Sequence, residues 1–360
     1  MQGLVLKSTG KWYNVELDGG QIVKATIRGK LRIEGLKTTN PIAAGDWVEI
    51  EFDDRTGKNN FTLPEIEIIE DNSKTTKKAK AKKAKRNKER LQSEEEQSEL
   101  EVEINYCIKS IVPRKNYIVR KSTNLSKQMQ ILAANVDHAY LVVTLKSPVT
   151  QIAFIDRFLV SAESFRIPTS ILFNKVDLFG EDEHLLLEGL TAIYSKIGYA
   201  CHPISAQNEA DVIFLREEIK GKQVMISGNS GVGKTTLVNS LDPSFSLRTG
   251  EISSVHEQGK HTTTFAEMHQ LQTGGYIIDT PGIRAFGVID LEKDHIAHYF
   301  PEMRALIGAC KFHNCKHLNE PHCAVKKAVE EEEISASRYQ SYLQLMHEDQ
   351  SDPYRRNDFV

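Results

Sequence analysis

Five runs of this chain have residue types and spacing suited to a nucleotide, and a sixth has the makings of a metal site. Gly228-Asn229-Ser230-Gly231-Val232-Gly233-Lys234-Thr235 fits G-x-x-x-x-G-K-[ST], with a strand-like run before it and a helix-like run after it. In that pattern the glycines let backbone N–H groups close on phosphates, the lysine reaches the β- and γ-phosphates, and the hydroxyl ligates Mg²⁺. Lys234 and Thr235 hold those places, with Thr236 beside them. Asn174-Lys175-Val176-Asp177 suits base recognition. A carboxylate accepts both the ring N–H and the exocyclic amine of guanine, a donor pair that adenine lacks, and a lysine can lie along the base plane. Ser205-Ala206, at the end of another strand-like run, fits the small backbone-led element that supports the guanine carbonyl.

Asp279-Thr280-Pro281-Gly282 follows the apolar Tyr276-Ile277-Ile278. At a strand end, Asp279 is placed to hold Mg²⁺ through water and the Gly282 N–H to face the γ-phosphate, so this run reads as a sensor of nucleotide state. Between loop and sensor lies Gly259-Lys260-His261-Thr262-Thr263-Thr264, a polar run where a phosphate-sensing segment belongs; Thr263 is the threonine expected to complete the Mg²⁺ shell. Ile283 follows the sensor glycine and cannot orient an attacking water. Slow intrinsic hydrolysis is therefore expected, with the catalytic group coming from His261, from Arg284 or from a partner. The base-reading run precedes the phosphate loop, the reverse of an ordinary GTPase. The chain visits the parts of a GTP site in rotated order.

Cys310, Cys315, His317 and Cys323 form C-x₄-C-x-H-x₅-C. Three thiolates and an imidazole, with no carboxylate among them, suit a closed tetrahedral Zn²⁺ of structural type. His313 and His322 are alternatives for the nitrogen ligand. Cys107 and Cys201 stand alone in apolar surroundings and read as core residues.

The chain has 360 residues, 40% of them hydrophobic and 26% charged, which is enough for two or three domains that each bury a core. The net charge of -3 conceals local asymmetry: lysines and arginines crowd residues 74–90 and glutamates residues 94–103. This block, about 72–104, is expected either to grip phosphates through counterion release or to form a solvated loop. No apolar run is long enough to span a bilayer, and the start of the chain lacks a signal-peptide core, so a cytoplasmic protein without membrane association is expected. Composition gives no warrant for anything but a monomer.

Short alternating strands dominate the first part: Val15–Leu17, Ile22–Ile27, Trp47–Phe52 and Tyr106–Val112. They predict an all-β barrel over 1–112, of the five-stranded OB type, interrupted by the charged block; its role is either RNA binding or protein binding and spacing. A basic connector with Arg114, Lys115, Arg120 and Lys121 covers 113–133. Strands and helices then alternate over 134–287, which predicts an α/β P-loop domain in circular permutation. Residues 288–360 read as a mainly α zinc-binding domain.

Taken together, these motifs resemble the ribosome small subunit-dependent GTPase A family, the circularly permuted GTPases of bacterial ribosome assembly. The resemblance covers barrel, rotated G domain and cysteine-histidine knot. It implies binding of GTP and GDP, slow GTP hydrolysis stimulated by the small ribosomal subunit, contact with 16S rRNA in late 30S maturation, and release of other assembly factors. It also implies one Zn²⁺, at Cys310, Cys315, His317 and Cys323. The charged block departs from the family pattern. Two other classes compete: a metabolic P-loop kinase, which needs no guanine-reading run beside an Asp-Thr-Pro-Gly sensor, and a GTP-dependent RNA-binding module or checkpoint in which turnover is incidental.

Overall fold

Trp47, Glu49 and Phe52 face out while Val48 and Ile50 are buried, the two-residue alternation of a strand with one face on a core. In the computed structural model, which describes residues 1–9, 12–27, 41–53, 106–121, 129–245, 266–279 and 291–348, that core belongs to a closed barrel. Its strands are β1 (Gln2–Ser8), β2 (Tyr13–Leu17), β3 (Ile22–Ile27), β4 (Trp47–Phe52) and β5 (Tyr106–Ile111). β1, β2 and β3 form an antiparallel meander, β3 pairs parallel with β5, β5 antiparallel with β4, and β4 returns to β1. Val5, Tyr13, Val15, Val23, Ile42, Val48, Ile50 and Ile108 fill it. Residues 106–111 thus supply the fifth strand, as the sequence predicts; the charged block about 72–104 lies outside the described residues. Cys107 is buried on β5 and Cys201 half-buried, as core readings require.

The stretch read as a connector carries a two-stranded antiparallel ladder, β6 (Tyr117–Lys121) with β7 (Met129–Ala134). Beyond it come β8 (His138–Val143), α1 (Ile152–Ser164), β9 (Thr169–Phe173), α2 (Glu181–Lys196), β10 (Ala200–Pro203), α3 (Glu209–Ile219), β11 (Gln223–Ser227), α4 (Lys234–Leu241), β12 (Glu267–Gln270) and β13 (Tyr276–Asp279). β8 and β9 are buried almost throughout because helices cover both faces of a parallel sheet. The order is β10-β9-β8-β11-β13-β12, with only β12 antiparallel. β12 also pairs with barrel strand β1, Lys7 opposite Glu267, so sheet and barrel form one hydrogen-bonded structure.

The C-terminal part is helical: a 3₁₀ segment (Lys293–Tyr299), α5 (Pro301–Arg304), α6 (Ala324–Glu330) and α7 (Ala336–His347). Ile296, Phe300, Met303, Val325, Tyr342 and Met346 form its core, and Val160 of α1 enters that core from the G domain. No helix among the described residues is long and apolar enough to cross a membrane.

Candidate nucleotide and metal sites

Parallel strands bring their C-terminal ends to one edge of a sheet, and ligands bind there. Asn174 follows β9, Ser205 and Ala206 follow β10, Gly228 follows β11, and Asp279 ends β13, so rotation of chain order leaves all four strand ends on the same edge. The glycine loop runs straight into α4, whose N-terminus turns backbone N–H groups and a favourable dipole toward an anion.

Glycines are required in this loop by close approach. A Cβ on Gly228 would lie 2.1 Å from the Val142 carbonyl oxygen, and one on Gly233 would lie 2.4 Å from Asn174 Nδ2; both residues have positive φ. Asn174, 1% exposed, joins three segments. Its Nδ2 donates to the Val232 carbonyl at 2.8 Å, and its Oδ1 accepts from the Ala206 N–H at 3.0 Å. The base-reading run, the Ser205-Ala206 element and the phosphate loop are thereby fixed to one another by a single buried amide. Lys175 Nζ donates to the carbonyls of Gly231 and Ser147, each at 2.7 Å. Asp177 is exposed in the following 3₁₀ turn, leaving its carboxylate accessible to a base. Lys234 Nζ donates to the Gly228 and Asn229 carbonyls at 2.8 and 2.6 Å, within the loop it is expected to serve. Thr235 and Thr236 are half-buried in the first turn of α4, and Ser230 is exposed.

Two supporting residues carry no motif signal. Asp211 Oδ2 accepts from the Ser205 N–H at 2.8 Å, and Ser240 Oγ donates to the Ala206 carbonyl at 2.9 Å. An acid in the first turn of a predicted helix is the only hint of the former. Asp279 ends strand β13, but Gly259–Thr264, including His261 and Thr263, lies outside the described residues, as do Thr280, Pro281, Gly282, Ile283, Arg284 and the Asp279 side chain.

The second cluster is in the C-terminal part. Ligand atoms of Cys310, Cys315, His317 and Cys323 all lie within 4.8 Å of one another. Cys310 Sγ is 3.9 Å from Cys323 Sγ and 3.6 Å from His317 Nδ1, which is 3.4 Å from Cys323 Sγ. Metal–sulfur and metal–nitrogen bonds of ordinary length put tetrahedral ligands about 3.5–3.8 Å apart, so this group can hold one metal ion. Burial pushes the Cys315 thiol up to about 12 and the Cys323 thiol upward as well, while it holds the His317 imidazole down. A neutral imidazole and thiolates that need a cation are the donor set of a metal site. Backbone N–H groups of Ala324 and Lys326 at the start of α6 donate to Cys310 Sγ and Cys323 Sγ. His317 is buried in the cluster, its carbonyl held by the Tyr339 hydroxyl at 2.7 Å; His313 and His322, the alternative nitrogen ligands, are exposed.

Comparison with known proteins decides the family. The RsgA GTPase family model matches residues 111–289 and the RsgA N-terminal domain model residues 2–57. A protein of Bacteroides fragilis described as "Small ribosomal subunit biogenesis GTPase RsgA" is 45% identical over 355 residues, 99% of each chain. This chain belongs to the RsgA family. RsgA proteins are hydrolases acting on GTP, and this is such an enzyme. The RsgA of Christiangramia forsetii is 43% identical over 359 residues, 100% of this chain and 99% of the other. The crystal structure of YjeQ from Thermotoga maritima superposes with a TM-score of 0.66 at 30% identity, covering 96% of both chains. YloQ, described as a circularly permuted GTPase, gives 0.64 at 24% identity over 96% of this chain and 93% of its own, a likeness of fold. The rotated motif order thus goes with a fold shared with a circularly permuted GTPase, and membership of a GTPase family removes the metabolic kinase reading.

Proposed function

We propose that this GTPase assists late maturation of the small (30S) ribosomal subunit. It binds GTP with Mg²⁺, contacts 16S rRNA, hydrolyses GTP slowly alone and faster on the subunit, and couples hydrolysis to release of itself and other assembly factors. The observation that carries the nucleotide half is the buried Asn174, which locks base-reading run, carbonyl support and phosphate loop at one sheet edge. Support for the ribosomal half is the full-length similarity to proteins named for that task.

In this reading Asp177 takes the guanine donors, Lys175 lies along the base, Ser205 and Ala206 support the carbonyl, and residues Gly228 to Thr236 hold the phosphates. Thr235 and Asp279 would hold a Mg²⁺ with Thr263 as a further ligand, and the ion would supply charge neutralisation at the phosphates; the Gly282 N–H senses the γ-phosphate and His261 polarises the attacking water. Zn²⁺ is the metal of the Cys310, Cys315, His317 and Cys323 group, with a structural role, because thiolate-rich tetrahedral sites without an open position favour it. The protein works in the cytoplasm as a monomer, with the barrel (1–112), connector (113–133), G domain (134–287) and zinc-binding domain (288–360) as its units.

GTP hydrolysis measured with and without purified small subunits, at two salt concentrations, tests the proposal. Stimulation that weakens at higher salt is expected. A rate indifferent to saturating subunits would favour a binding module whose turnover is incidental. Asp177→Asn should move nucleotide preference from guanine to xanthine, whose altered edge matches the amide; retained guanine selectivity overturns the base assignment.

A further inference from the structure

One segment beside the nucleotide machinery is still without a role: Thr144 to Thr150, which joins β8 to α1. From the centre of the sheet the chain lays β8, β9 and β10 to one side, and β11 and β13 to the other. The crevice between β8 and β11 is therefore the switch point where such sheets bind ligands. The loop after β11 is the glycine loop; the loop after β8 is this one.

It closes on itself. The Thr144 N–H donates to Thr150 Oγ1 at 3.1 Å and the Thr150 N–H to the Thr144 carbonyl at 2.8 Å, with both side chains buried. The Thr144 hydroxyl reaches the Lys146 carbonyl at 2.7 Å. Its tip meets three parts of the site. The Ser147 carbonyl accepts from Lys175 Nζ, which also holds the Gly231 carbonyl. Pro148 lies against Gly231, where a Cβ would be 3.4 Å from Pro148 Cδ. Lys146 pairs with Glu183 at 3.3 Å, and Glu183 in turn accepts from the Gly180 N–H at 2.7 Å, just after the Asp177 turn. Ser147 and Lys175 both have left-handed backbone, φ 49° and 66°. Non-glycine residues hold that conformation where their surroundings over-determine it, and two of them meet here at one hydrogen bond.

We infer that the Thr144–Thr150 loop is a positioning element for guanine-nucleotide binding: it holds Lys175 extended across the phosphate loop, so that base-reading and phosphate-binding segments keep one spacing. The inference rests on the reading that Asp177 and the Lys234 loop bind GTP.

Full-length variants test it through equilibrium binding of fluorescent GDP and steady-state hydrolysis. Thr150→Val keeps the shape but removes the acceptor of the buried Thr144 N–H, and Thr150→Ser restores it. Thr150→Val should weaken GDP about tenfold, which corresponds to about 1.4 kcal/mol, and raise KM with kcat unchanged. Thr150→Ser should bind like the parent. In a Lys175→Ala background Thr150→Val should add no further loss, whereas a full additive loss shows that the loop does not act through Lys175 and overturns the inference. Should Thr150→Val fail to fold, Ser147→Gly reads the same property: it relieves the left-handed residue, so a merely structural loop would bind as before, while a positioning loop weakens GDP about threefold. Asp177→Asn separates the two readings. If it turns preference toward xanthine while Thr150→Val and Ser147→Gly bind GDP like the parent, only the positioning role is lost. If it leaves guanine selectivity intact, the base assignment beneath it fails.

Discussion

The G domain meets a neighbour on each side, and the two boundaries are built from different forces. On the barrel side β1 pairs with β12, and Leu4 and Leu6 of the barrel share one apolar core with Met268 and Ile278 of the sensor hairpin. Gly45 brings its backbone so close to the Ala134 carbonyl that a Cβ would lie 2.1 Å away. On the C-terminal side α1 meets α7 through a buried charge cluster. Arg338, 1% exposed, donates to Asp156 Oδ1 and Glu302 Oε1, both at 2.7 Å, and Tyr194 also donates to Asp156. The contrast teaches something that motif order conceals. Along the chain, the barrel leads into the base-reading half and the sensor leads into the C-terminal part. In space the pairing is crossed: the barrel packs on the sensor strands β12 and β13, and the C-terminal helices pack on α1 of the base-reading half.

The charged boundary is the easier to break. Asp156 Oδ2 is buried with no partner among the described residues, and Tyr194 brings Oδ1 only a neutral donor, so Arg338 is the cation that offsets that carboxylate's burial. Arg338→Ala should cost about 3–5 kcal/mol, the usual penalty of stranding a buried charge, in urea-induced unfolding. Hydrogen exchange should show the loss concentrated in α7, with β8 still protected. A change below about 1 kcal/mol would mean that water or a rearranged side chain takes over the pairing, and the two boundaries would then not differ as described.

Gly45→Ala probes the apolar boundary. Its positive φ and the clash with Ala134 both act against a methyl group, so about 2–4 kcal/mol of stability should be lost. Because the barrel rests on the sensor hairpin, nucleotide affinity should fall with it, which Arg338→Ala should not cause. Equal effects of the two variants on GDP binding would erase the distinction between the boundaries.

Much of this was legible in the sequence, for identifiable reasons. Asn174, Lys234 and the cysteines sit in motifs whose spacing is dictated by local backbone geometry, and β11 and β13 occupy the residues that continuous apolar runs mark out, Gln223–Ser227 and Tyr276–Asp279. The β6–β7 ladder was hidden because Arg120 and Lys121 make β6 read as a basic connector, and β7, Met-Gln-Ile-Leu-Ala-Ala, lacks strict alternation. The choice of His317 over His313 and His322 depends on which ring is buried by α7, a long-range property. The Thr144–Thr150 loop was invisible because positive φ at Ser147 and Lys175 leaves no mark on residue type. The crossed packing of the boundaries depends on the β1–β12 pairing, which joins residues some 260 positions apart.

The smallest effect belongs to the polar edge of the barrel boundary. Lys7 and Glu267 pair at 2.7 Å, but both are more than a third exposed, and such pairs contribute little. Tyr276, at the start of the sensor strand, donates at 2.8 Å to Glu16 of β2, a carboxylate 9% exposed. Tyr276→Phe should therefore cost about 1–2 kcal/mol, because Glu16 loses a donor it cannot replace with bulk water. Burial, with Glu16 beside it, pushes the Tyr276 hydroxyl up to about 12 from an ordinary value of 10. A raised folded value means the contribution is complete below the unfolded value and disappears as pH rises through the folded one. The difference between parent and Tyr276→Phe in urea midpoints should then be flat from pH 6 to about 9 and shrink above about 10. A difference that changed across neutral pH would place another titrating group at this edge, and with it a pH dependence in the only hydrogen-bonded seam joining barrel to sensor among the described strands.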